Sequence, residues 1–186
     1  IRAAHDICAG LLLSEGVPTR QKPQPHHETA ARLGAAIVAE MGRADQGQAC
    51  IIRRGDVLAR ENADGTDAML SRYTTGRTAS DPATDPLDKP LEWGLEALTD
   101  VTTTALDWLG GSDSPAGTGA ILYKAPKPAQ DRRVDLPTIG PETARRAAVA
   151  GLDGIVIAAH GVFVLDQNLV LQILDETGLF LWVRDA

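Results

Sequence analysis

The sequence predicts an α/β fold, a single domain with a mixed β-sheet and flanking helices. Short apolar runs of strand length at 119–124, 154–158 and 179–183 alternate with helix-length amphipathic stretches at 141–150 and 167–177. A second observation is the pair of strand-like runs at 48–53 and 56–60, joined at Arg54-Gly55, which reads as a tight hairpin.

Taken in order, residues 1–25 lead into the first helix. Pro18, Pro23 and Pro25 keep the second half of this segment extended. Ile1 is not an initiator, so a longer protein is expected. A helix is predicted over 27–41, opened by His27, Glu28 and Thr29, with Ala31, Leu33, Ala35, Ile37, Val38 and Met41 as its apolar face and Gly42 at its end. His26 and His27 are read as this helix start, not as a metal pair. After the hairpin, Gly65-Thr66-Asp67 opens a short helix over 66–73, with Thr66 or Asp67 placed to cap it.

Residues 74–89, rich in Thr, Asp, Pro and Gly, read as a disordered loop. A helix over 90–109 offers Trp93, Leu95, Leu98, Val101, Leu106 and Leu109 for core contacts. A flexible return follows, and then the strand at 119–124. Beyond the helix at 141–150 come a strand at 154–158, a turn at His160-Gly161, a strand at 162–165, the helix at 167–177 and a last strand at 179–183.

Bulk properties exclude several classes. Aromatic content is 4%, so Ala, Leu, Val and Ile must build most of the core. No apolar run approaches the ~20 residues of a membrane span. A net charge of -7 argues against general nucleic-acid binding. Cys8 and Cys50 have no metal-ligand spacing and read as small apolar residues in a reducing compartment.

Within this acidic chain, Lys124, Lys127, Arg132 and Arg133 fall inside ten positions. Pro126, Pro128 and Pro137 stiffen the segment, which suits a preformed cradle for an anion better than a solvated face. A proline-started helix follows at Pro141, and helix N-termini offer N–H donors to phosphate. Asp131 and Asp135 supply hard oxygen donors of the kind Mg²⁺ uses beside substrate phosphates, although pairing with Arg132 and Arg133 is the simpler reading. Glu61, Asp64, Thr66 and Asp67 form a compact acidic loop that, by itself, reads as a turn and helix cap.

These segments carry a family resemblance. The run from Lys124 to Pro141 is similar to K-x-x-K-P-x-Q-D-x-R-x-D-L-P-x-I-G-P of the LpxI-type UDP-2,3-diacylglucosamine pyrophosphatases of lipid A biosynthesis. Gly47-Gln48-Ala-Cys-Ile-Ile resembles that family's G-Q-A-V-V-V strand, and the run from Glu61 to Ala68 its E-x-x-E-G-T-D-A motif. Residues 150–155 and 175–180 resemble its tail. Two positions depart from the pattern. Asp64 replaces the usual Glu, which puts a direct ligand role there in doubt. His160 stands in what is usually an Ala-Gly-Gly turn, which favours a surface turn residue over a catalytic base.

The resemblance implies hydrolysis of the pyrophosphate of UDP-2,3-diacylglucosamine to UMP and lipid X, with Mg²⁺ as cofactor. It implies Asp135 and Asp131 as catalytic and metal-holding groups, Asp135 slightly ahead. Lys124, Lys127, Gln130, Arg132, Arg133, Thr138, Glu61, Thr66 and Asp67 are the implied substrate contacts. The resemblance also implies that residues 1–25 are an interdomain linker segment, that 26–186 form the carboxy-terminal catalytic-type domain and that the family's amino-terminal domain is absent. The implied partners are a UDP-linked diacylated glucosamine lipid and the amino-terminal domain of the same protein. The implied location is the cytoplasm, with room for peripheral contact at the inner membrane. Most of 74–118 has no counterpart in the family pattern and reads as an insertion. A rival class is a binding module that holds a nucleotide-sugar diphosphate without turning it over, and a third is a scaffold role for the insertion.

Overall fold

A computed structural model of the chain describes residues 9–80, 118–128, 130 and 136–185. Its centre is a five-stranded mixed sheet. The strands are β1 (Ala49–Arg53), β2 (Asp56–Arg60), β3 (Ala120–Lys124), β5 (Gly154–Ala158) and β7 (Phe180–Arg184), in spatial order β2-β1-β3-β5-β7. β1 pairs antiparallel with both β2 and β3, whereas β3, β5 and β7 run parallel. Two further short strands, β4 (Thr138–Ile139) and β6 (Phe163–Val164), pair parallel with each other outside this sheet.

The hairpin forms where expected. Arg53 faces Asp56 across the two-residue turn, and Arg54 takes a left-handed φ of 57° to close it. β3 and β5 are buried at every position, as parallel strands covered on both faces must be, and so read as unbroken apolar runs in the sequence.

Four helices cover the sheet among the described residues. Helix α1 (Pro25–Arg43) lies on one face, packing Ala30, Ala31, Ile37, Val38 and Met41 against Cys50, Ile52, Ile121, Tyr123, Val156 and Phe180. Helices α2 (Thr66–Ser80), α3 (Pro141–Val149) and α4 (Gln167–Glu176) cover the other face, bringing Met69, Leu70, Ala144, Ala147, Val170 and Leu174 onto Ile51, Leu122, Ile155 and Leu181. A fully buried Leu, Ile or Phe side chain of this kind stabilises the fold by about 1.5–3 kcal/mol. Two glycines make room for buried rings. A Cβ on Gly34 would lie 2.5 Å from the Tyr123 ring, which sets how closely α1 packs on β3, and one on Gly154 would lie 2.5 Å from the ring of Phe180, its partner in the neighbouring strand β7.

Several expected boundaries change. α1 starts two residues early, at Pro25, because proline suits the first helical turn and the Gln24 N–H is satisfied by His27 Nδ1 at 2.8 Å. It also runs through Gly42, its expected stop, to Arg43, with Ala44 as the C-cap. α2 runs past 73, so residues 74–80 are helix and not loop; the hydroxyls of Thr74 and Thr75 bond back to Leu70 O and Ser71 O, which satisfies them inside the helix. The strand at 162–165 shortens to β6 and joins β4 rather than the main sheet. The rest of the expected loop (81–89), the helix at 90–109 and its Trp93, Leu98 and Leu106 lie outside the described residues.

The segment before α1 follows β7. Gly16 and Val183 exchange both backbone hydrogen bonds, and Thr19 Oγ1 accepts from Leu181 N at 2.9 Å. Thr19 is 1% exposed. This covers an edge strand that would otherwise present unpaired donors and acceptors.

Candidate active site

The parallel strands β3, β5 and β7 all end on one rim of the sheet, where open α/β sheets place their ligands. Lys124 closes β3 at that rim, opposite Ala49, the first residue of β1. Glu61 follows β2 directly and is tied to the same rim through its N–H to Ala49 O at 2.9 Å. Gly47 makes this approach possible: it has a φ of 142°, and a Cβ there would sit 2.8 Å from Glu61 O.

Glu61, Thr66 and Lys124 form one buried chain of hydrogen bonds, with exposures of 8%, 7% and 6%. Lys124 Nζ donates to Thr66 Oγ1 at 2.7 Å, and Thr66 Oγ1 donates to Glu61 Oε1 at 2.5 Å. Glu61 Oε2 accepts from Gln48 N at 2.7 Å. Both Glu61 oxygens are thus acceptors, the pattern of a carboxylate. Burial pushes the Lys124 ammonium below its ordinary pKa, while the charges of Glu61 and Asp67 pull the other way.

Helix α3 joins from the side. Its N-cap is Gly140 and its first residue Pro141. Thr143, buried in its first turn, donates to Asp67 Oδ1 at 3.3 Å, and Arg146 Nη1 one turn on donates to Ser71 Oγ at 2.6 Å. These two bonds fix the α3 N-terminus against the start of α2. Thr66 and Asp67 therefore spend their side chains on Glu61 and Thr143, a different use from the expected capping of their own helix. Thr138 lies in β4, and its hydroxyl donates to Leu136 O at 3.3 Å, which fixes the approach to Gly140.

Past Lys124 the chain turns toward the end of α1. Lys127 Nζ pairs with Asp45 Oδ1, and the Lys127 N–H donates to Gln130 Oε1 at 2.9 Å. Gly42 allows the loop to dock, since a Cβ there would meet Pro128 at 2.7 Å. Asp131, Arg132, Arg133 and Asp135 lie outside the described residues. The structure thus brings Glu61, Thr66, Asp67 and Lys124 together, and places Lys127 and Gln130 on the adjoining loop.

Asp64 faces away, held by Arg72 Nη1 at 2.8 Å. His160 occupies an exposed turn at φ 53°, as a surface turn residue would. His27 uses both ring nitrogens, Nδ1 on Gln24 N and Nε2 at 3.0 Å from Asp153 Oδ2, at the opposite rim of the sheet. This fits the reading of His26 and His27 as a helix start. Cys50 is fully buried, and burial pushes its thiol up to about 12, so it behaves as a small apolar residue.

Sequence reasoning did not find Thr143 or Asp45. The only trace of Thr143 is a polar residue on the inward side of a helix whose neighbours Ala144 and Ala147 are apolar.

Residues 14–182 match the family model for the LpxI C-terminal domain. The chain belongs to this family. It is also 36% identical over 180 residues to the UDP-2,3-diacylglucosamine pyrophosphatase LpxI of Caulobacter vibrioides, a match that takes in 97% of this chain and 53% of that protein. The chain therefore spans about half the length of that LpxI relative. No described helix is long and apolar enough to cross a membrane.

Proposed function

We propose that this domain carries part of the active site of a pyrophosphatase that hydrolyses UDP-2,3-diacylglucosamine to UMP and lipid X. Water adds to one phosphorus of the diphosphate, and the P–O–P bridge breaks. The observation that carries the reading is a buried lysine, Lys124, at the carboxyl rim of β3. It lies in a chain 36% identical to a protein named for that reaction. Phosphoryl transfer asks for positioning and charge neutralisation more than for covalent help. Lys124, Lys127, Arg132 and Arg133 supply the cations, and the α3 N-terminus beyond Thr138 supplies backbone donors. Gln130 shapes the loop by accepting the Lys127 N–H.

Mg²⁺ fits the donor chemistry of this region. Glu61 has both oxygens engaged by protein donors, and the family resemblance of the run from Lys124 to Pro141 assigns the ion to Asp131 and Asp135. Bound there, it would neutralise diphosphate charge and lower the pKa of a water. The second wall of the cleft would come from the amino-terminal half present in the relative, with the sugar lipid between the two. Such an enzyme works in the cytoplasm at the face of the inner membrane. Because this chain spans only half of that relative, binding without turnover is the specific alternative for these residues alone.

The test is to incubate UDP-2,3-diacylglucosamine with this chain, and with the same chain preceded by the family's amino-terminal half, with Mg²⁺ or with EDTA. Phosphorus NMR should show UMP and lipid X in equal amounts from the longer chain with Mg²⁺, and at most a small fraction of that rate from the 186 residues alone. Absence of UMP from both would reject the reading.

A further inference from the structure

We propose that Glu61 and Thr66 are positioning residues that hold the Lys124 ammonium as a fixed donor, in place of touching substrate themselves. The inference deepens the functional reading above and rests on it only for the identity of the ligand.

The hydrogen-bond directions support it. Thr66 has one hydroxyl proton, and it is donated to Glu61 Oε1. Its oxygen is then left to accept, and it accepts from Lys124 Nζ. Glu61 in turn is held by Gln48 N, so the chain is anchored on backbone at one end and free at the other. All three are more than nine-tenths buried, and what sets Glu61 and Thr66 apart from Lys124 is that protein partners already take both Glu61 oxygens and the Thr66 hydroxyl proton. Lys124 carries three N–H donors, and among the described residues Thr66 Oγ1 is the acceptor given to them. A buried ammonium with donors to spare is costly without an anionic partner. An incoming phosphate oxygen is such a partner.

The arrangement also works against the loss of charge that burial favours. Glu61 is the largest opposing influence to burial at Lys124, with Asp67 next. Removing the Glu61 charge should make the proton easier to lose, and breaking the Thr66 bridge should free the side chain to move.

The experiment is an NMR titration of the Lys124 ε-methylene resonance, assigned with Lys124→Arg, in the wild-type chain and in Glu61→Gln, Thr66→Val and Thr66→Ser. Inorganic pyrophosphate affinity is measured alongside by calorimetry. Glu61→Gln should titrate Lys124 at lower pH than wild type. Thr66→Val should broaden or shift the resonance and weaken pyrophosphate about tenfold, the effect of removing one charge-assisted hydrogen bond. Thr66→Ser, which keeps the hydroxyl, should match wild type in both. If Lys124 titrates identically in all variants, the positioning role is overturned. If the titrations shift as expected but the wild-type protein releases no UMP, the positioning stands and the pyrophosphatase reading falls.

Discussion

Lys124 and Thr66, separated by 58 positions in sequence, meet at 2.7 Å inside the protein, and their contact ties the end of β3 to the start of α2. The bond joins the basic loop to the acidic one and makes a single rim out of two motifs. Its electrostatics lead to the first prediction. Burial outweighs Glu61 and Asp67 at Lys124, so the folded chain binds this proton less tightly than the unfolded chain does. The resulting penalty is fully present below the folded pKa and gone above the ordinary value of 10.5. Lys124→Met relieves that penalty but leaves the buried Glu61 carboxylate without its cation, and removing one partner of a buried charge pair costs about 3–5 kcal/mol. The ligand-free Tm should therefore fall at neutral pH, by roughly 2–4 °C for each kcal/mol lost. Calorimetry checks this. Pyrophosphate binding should disappear in the same variant, and a Tm that rises at neutral pH would show that burial of the lysine is a net cost.

Gly34 tests the layer spacing. Glycine in a helix interior usually costs ~1 kcal/mol relative to alanine, so an exposed Gly34→Ala change would be expected to stabilise. Here the added Cβ would sit 2.5 Å from Tyr123. The prediction is a loss of about 1–3 kcal/mol in urea unfolding, the usual range for overpacking. A gain in stability would mean that α1 does not lie this close to β3.

Cys50 is expected to be inert. With the thiol fully buried and pushed up to about 12, a Cys8→Ser variant should not react with a thiol reagent at pH 8 until the fold is opened by denaturant. Rapid labelling of the native variant would contradict the core position.

Lys127 should separate function from stability. Its partner Asp45 is largely solvent-exposed, and exposed ion pairs contribute ~0–1 kcal/mol. Lys127→Ala should leave the urea midpoint nearly unchanged while weakening diphosphate binding by about 1–3 kcal/mol. Gly42→Val should weaken the same binding without removing any charge, because its side chain would push Pro128 and the loop away from α1. Unchanged affinity in both would return this loop to the role of a solvated surface.

Much of this architecture is legible in the sequence because its signals are local. Arg54-Gly55 marks a two-residue turn, and the run from Ala120 to Tyr123 can be read as a central strand without any tertiary knowledge. The pairing of β6 is not legible, because Val162-Phe-Val-Leu165 has strand composition, and composition does not say which neighbour supplies the hydrogen bonds. The true end of α2 is hidden for a related reason: Thr74 and Thr75 look like loop residues until their hydroxyls are seen bonded to the preceding turn. In the site, the motifs name Lys124, Glu61 and Thr66 but not their order of donation. Asp45 and Thr143 reach their partners across 82 and 76 positions, which no local pattern encodes.

The central claim is that the segment from Lys124 to Pro141 carries diphosphate hydrolysis, with Asp131 and Asp135 as its essential carboxylates. It is tested most directly by the initial rate of UMP release from UDP-2,3-diacylglucosamine in Asp131→Ala and Asp135→Ala. These are made in the chain that carries the amino-terminal half, with Mg²⁺ saturating and folding confirmed by thermal melting. The account predicts that each variant melts as wild type does and loses a factor of ~10² or more in rate. Wild-type rates from both variants would contradict it.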